Sequence, residues 1–282
     1  MLVAKMALRM AGWLTAALML AVPAAADPVT ERGLRHTSYG RGMVEKAVLG
    51  ANQMAETSGA RLVPSWIDQG TSEVSGVLVY LVDGKPGTID SPAAVPKRCR
   101  CVFVAPTTLD AFVTRNSTGA GRMTLDAGRV LTFMLLHEIG HLLNNTPGAD
   151  FHNGQMFQLN IEDSLAKDAE SDADNFAADL LKRLALQSGT SALTIYANWI
   201  TIELTKMSWN MQAFRTLDEF ASFAVGKPAV YFDDSYTHPN LALRILHIND
   251  RIHSSEATRA LLQAFENARF RGANPQPLYQ RR

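Results

Sequence analysis

Cysteine is nearly absent from this 282-residue chain: Cys99 and Cys101 are the whole inventory. That excludes a disulfide-rich scaffold, and it excludes a Cys-ligated structural zinc site, which needs a second Cys or His pair at ligand spacing. Net charge is absent as well, with 27 Lys+Arg against 27 Asp+Glu. A neutral chain exerts no long-range pull on phosphate backbones or anionic lipid, so composition gives no support to nucleic-acid or polybasic membrane partners. No internal repeat and no low-complexity tract is visible, which removes solenoids and collagen-like chains. Beyond residue 26, no apolar run approaches the ~20 residues needed to cross a bilayer. What is present, 47% hydrophobic and 19% charged residues, is the composition of an ordinary globular protein.

The first 26 residues read as an export signal. Lys5 and Arg9 give a basic start, Met10 to Val22 is an apolar stretch broken only by Gly12 and Thr15, and Ala24-Ala25-Ala26 supplies small residues before Asp27. The stretch is too short for a membrane anchor. Cleavage is expected after Ala26, leaving residues 27–271 as a single domain and 272–282 as a frayed tail. The expected product is a periplasmic or secreted protein. In such an oxidising compartment Cys99 and Cys101 either close a small-ring disulfide that forces a local turn, or stay as two thiols on one face of a strand.

The segment Thr30 to Ser58 has mixed helical spacing through Leu34, Met43, Val44, Ala47, Val48 and Met54. Val74 to Val82, rich in β-branched residues and ended by Asp83-Gly84, reads as a strand. A loop through Pro86 and Pro92 leads to a second strand at Cys99 to Ala105. After about residue 124 the pattern is helical. Helices are expected over 125–144, 163–187, 191–214 and 239–270, the last broken near Ser254, with a short one opened by the capping box Thr216-Leu-Asp-Glu219. The fold class is therefore α+β, a small N-terminal sheet followed by a helical bundle.

The chemistry sits in the first of these helices, at His137-Glu138-Ile139-Gly140-His141. Histidines four residues apart project from one helical face, close enough to hold one zinc ion, and Glu138 is left beside them to act on a metal-bound water. Two histidines and a carboxylate in an otherwise apolar helix carry a desolvation cost of several kcal/mol unless a metal or partners satisfy them. A catalytic zinc takes three protein ligands and keeps one position open. The metzincin extension fails, because Asn144 and Pro147 stand where Gly and His are needed. The following helix offers Glu170 and Asp174 on one face: Glu170 to complete the metal shell, Asp174 to accept the free ring N–H of a ligand histidine. Glu162, Asp172 and His152 are held in reserve.

These motifs, followed by Thr237-His238-Pro239-Asn-Leu-Ala-Leu-Arg244-Ile245, resemble the gluzincin metallopeptidases. Within them the chain is most similar to the family of the CAAX prenyl endopeptidase and the bacterial periplasmic quality-control proteases. The likeness spans about residues 128–250. It implies a zincin-like fold, one Zn2+ per chain and polypeptide substrates, among them misfolded envelope proteins. It also implies a place near the metal for His238, as oxyanion donor or as a plug of the water site; the bare residues equally allow a structural role at a helix start. Tyr231 and Tyr236 are further oxyanion candidates. Arg244 is a candidate partner for a buried acid such as Asp174.

The expected function is a zinc endopeptidase with Glu138 as general base and catalytic His238, using the strand near Cys99–Ala105 as an edge for an extended peptide. Two rivals keep the site: a catalytically silent zinc-binding chaperone or assembly factor of the envelope, and a zinc hydrolase acting on a non-peptide bond.

Overall fold

The computed structural model describes residues 26–67, 76–84, 89–118, 123–146, 148–152, 154–157, 163–185, 191–211, 241–256, 258–260 and 262–263. Residues 1–25 of the expected export signal, the expected capping box at 216–219, Tyr231, Tyr236, His238 and the expected tail at 272–282 lie outside them, as does Glu162.

The architecture is α+β. Four short strands form a mixed sheet in the order β1 (Leu62–Pro64), β2 (Val77–Leu81), β4 (Cys101–Val104), β3 (Ala93–Ala94). The first three are parallel and β3 runs antiparallel to β4. A hairpin of β5 (Asp150–His152) and β6 (Gln155–Phe157) forms a separate two-stranded sheet between α3 and α4 in the chain. Alternation gives the sheet two cores. Val77, Val79, Leu81, Val102 and Val104 turn towards the helices, while Cys101 and Phe103 face a smaller cluster with Val29, Leu34 and Phe151.

Cys99 and Cys101 are disulfide-bonded, with Cα atoms 5.2 Å apart. The strand begins only at Cys101, so Cys99 belongs to the turn that the ring requires.

The helices are α1 (Arg41–Met54), α2 (Pro106–Thr118), α3 (Ala127–Asn144), α4 (Asp163–Ala185), α5 (Ala192–Met211) and α6 (Leu241–Ile252). Sheet and bundle are not consecutive blocks, because α1 precedes the sheet and packs on α3. Helix α2, which sequence periodicity does not reveal, starts on Pro106, whose missing N–H costs nothing in a first turn. The expected break near Ser254 is present, with helix resuming after Ser255.

Helix α3 is the axle of the fold, in contact with α1, α2, α4, α5 and β3. Asp126 caps its start by accepting the Arg129 N–H at 2.9 Å, and Asn145 ends it in the left-handed conformation, φ 50°. Leu131, Leu135, Leu136 and Ile139 are fully buried, each contributing roughly 1.5–3 kcal/mol. Glu203 on α5 is buried too; it accepts the Asp126 N–H at 2.9 Å and pairs with Lys206 at 2.8 Å and Arg129 at 3.3 Å. It thereby fastens the start of α3 to α5. The apolar pattern does not hold everywhere: Leu143 on α3 and Leu165 on α4 are exposed. No helix among the described residues is long and apolar enough to cross a membrane.

Candidate metal centre

The two histidines of α3 and the acids of α4 meet where the helices come closest. A Cβ on Gly140 would lie 2.8 Å from the Cα of Ala173. Only the absence of a side chain at 140 permits that approach, at the cost of about 1 kcal/mol of helix propensity. Gly140 lies between the histidines, and Ala173 lies between Glu170 and Asp174, so closing this contact brings all four side chains together.

His137 Nε2 and His141 Nε2 face each other at 3.0 Å, with the rings nearly perpendicular. Glu170 presents Oε2 to His137 Nε2 and Oε1 to His141 Nε2, each at 3.3 Å. Among the described residues these three form a group able to hold a metal ion, with donor atoms within 4.8 Å of one another. A tetrahedral zinc with bonds of ~2.0–2.1 Å has edges of about 3.3 Å between ligand atoms. The Nε2–Nε2 separation and the contact that each histidine makes with its own Glu170 oxygen are on the scale of such an edge.

Tautomers fit as well. His141 Nδ1 lies 2.8 Å from Thr146 Oγ1, whose hydroxyl reaches the His141 carbonyl at 3.3 Å. The chain Nδ1–H to Oγ1–H to O=C leaves the His141 Nε2 lone pair for a metal. His137 Nδ1 approaches Asp174 Oδ1 at 2.9 Å, although the direction is off the ideal donor line. The pairing again directs Nε2 inward.

Arg244 on α6 closes the arrangement from the far side. Its Nε and Nη2 bind the two Asp174 oxygens at 2.8 and 2.9 Å, and Nη2 also reaches Glu170 Oε2 at 3.0 Å. One guanidinium therefore balances two buried carboxylates. Burial alone would raise Asp174; the charges of Arg244 and His137 overcome it and hold the carboxyl down at about 2. Burial pushes the His137 imidazole down, but hydrogen bonds and charge from Asp174 and Glu170 win and raise it to about 10. In the metal-free protein, His137 is thus the cation the acids hold; a metal would take over that function.

Glu138 is buried at 7% exposure beside the triad, and its Oε2 accepts the main-chain N–H of Val95 at 3.0 Å. Of the reserve candidates, Asp172 is exposed on another side of α4, Glu162 lies outside the described residues, and His152 is described by its backbone alone, in β5. His238 also lies outside them.

One expectation is overturned. The segment Cys99–Ala105 offers no free edge, because β4 pairs with β2 on one side and β3 on the other. The edge nearest the site is β3. Sequence reading missed Thr146 and Val95: the first shows only as a polar residue one position past the helix cap, and the second contributes a backbone group that no side-chain motif reports. Compared with protein-family models, with curated proteins and with solved structures, the chain matches none.

Proposed function

We propose that this chain is a zinc-dependent endopeptidase of the gluzincin type, with a zincin-like fold, acting on exported or envelope polypeptides after removal of residues 1–26. The observation that carries the reading is the convergence of His137, His141 and Glu170, whose ligand atoms lie within 4.8 Å of one another, with a buried carboxylate, Glu138, adjoining them. His137, His141 and Glu170 would hold the ion, leaving a fourth position open. When bound, zinc lowers the pKa of a water towards ~7 and polarises a carbonyl. Glu138 takes the proton from the attacking water and hands it to the leaving amine. Asp174 and Arg244 keep His137 and Glu170 in place.

The test is Glu138→Gln. It retains zinc by elemental analysis and loses casein hydrolysis by at least the ~10²-fold a general base contributes. Undiminished turnover with full zinc loading rejects the assignment.

A further inference from the structure

Resting on that reading, we infer that the backbone N–H of Val95 is a positioning group for Glu138, and that the chain's own segment Gly148–Ala149 holds it in place. In the β3–β4 pair Ala94 opposes Phe103, and Ala105 donates to the Pro92 carbonyl at 2.9 Å. Residues 92 and 94 thus turn their main-chain groups towards β4, and by antiparallel alternation Ala93 and Val95 turn theirs outward, towards α3. The Val95 N–H meets Glu138 Oε2 at 3.0 Å.

The other side of Val95 is clamped. Its carbonyl accepts the Ala149 N–H at 2.8 Å, and Lys97 donates back to the Ala149 carbonyl at 2.7 Å. Segment 148–149 therefore lies along the chain after β3 as an added parallel strand would. It sits so close that a Cβ on Gly148 would collide with the Val95 carbonyl and stand 2.9 Å from the Pro96 carbonyl carbon.

Two consequences follow. Glu138 has one oxygen fixed by a donor that cannot rotate, so Oε1 is the oxygen left to receive the water proton, and the carboxylate plane is set before substrate arrives. The edge at Val95 is filled by the protein itself, through the Ala149 N–H and the returning Lys97 N–H.

The experiment replaces the Val95 amide with an ester, by incorporating the α-hydroxy acid analogue of valine into the zinc-loaded chain. This deletes the N–H and keeps the side chain. The expected result is a fall in kcat of about tenfold or more, within the ~10²–10⁴ that a general base supplies, with KM changed less than about twofold and zinc content unchanged. Gly148→Ala, which pushes the clamp off Val95, shows the same split. Amide exchange gives a readout that needs no turnover: the Val95 N–H is protected in the wild type and exposed in Glu138→Ala. Equal exchange in both, or an ester variant with unaltered kcat, overturns the positioning role alone. A zinc-loaded wild type that cleaves no peptide overturns the peptidase reading and this role with it.

Discussion

Gly140 and Ala173 are the point where α3 and α4 touch, backbone against backbone, and His137, His141 and Glu170, the group able to hold a metal ion, all lie within one helical turn of that contact. Adding a methyl group at 140 requires the helices to part, since the obstructing atom is the Ala173 Cα and cannot swing away. For Gly140→Ala, the gain of about 1 kcal/mol in helix propensity opposes an overpacking cost of about 1–3 kcal/mol. The expected outcome is a modest net loss of stability and a zinc affinity weakened by about tenfold or more, the range seen when ligand support is disturbed. Competition against a chromophoric chelator measures the affinity; unchanged affinity shows that the contact does not set the ligand spacing.

Arg244 is the counter-charge for two buried acids. Truncating it to Ala leaves the His137 imidazolium alone to balance both Glu170 and Asp174, and losing one partner of such a buried charge group costs about 3 kcal/mol in the metal-free protein. Lys at this position restores the charge but not the paired contacts of the guanidinium, so it recovers only part of the loss. Denaturant titration of the three proteins gives the order wild type, Lys, Ala. A Lys variant as stable as wild type shows that charge alone suffices.

The pH response separates the metal-free and zinc-bound forms. Asp174 is held at about 2, below its ordinary value of 3.8, so the stability it contributes is present above pH ~4 and is lost as pH falls towards 2. His137 is raised from 6.5 to about 10, so its contribution in the metal-free protein is complete below about pH 6.5 and disappears as pH climbs through 10. Zinc needs the neutral imidazole, and its stabilising effect grows with pH over that same window. Melting curves with and without zinc between pH 6 and 10 display this as a widening gap. A gap that narrows on the alkaline side contradicts the assignment of His137 as a ligand.

The Cys99–Cys101 bond closes a very small ring. The loop-entropy relation gives roughly 1–2 kcal/mol for a ring of this size, and the turn it holds lies between β3 and β4. Replacing both cysteines by serine is expected to destabilise the protein by that amount, with zinc content retained. Chemical denaturation of the protein, after mass spectrometry has established that the bond is formed, measures it.

Much of the centre was readable from residue types alone. Spacing of four residues on helices long enough to recognise puts His137 with His141 and Glu170 with Asp174, and the buried apolar pattern around Leu131, Leu135, Leu136 and Ile139 marks α3 as the core helix. Short elements were not readable. A three-residue strand such as β1, a two-residue strand such as β3 and the β5–β6 hairpin hold too few positions for a period of two to emerge. Glu203 was equally hidden, because an acid in an apolar helix gives no sign of whether it meets Lys206, Arg129 and a helix start or simply faces water.

Local covalent order thus determined which side chains share a helical face, because 3.6 residues per turn is a property of the backbone and needs no neighbour. Which faces meet was decided only in three dimensions. The approach of Gly140 to Ala173, the reach of Arg244 across from α6, and the bond from Val95 to Glu138 each join residues distant along the chain. Such contacts depend on how whole elements pack, and no short stretch of sequence contains that information.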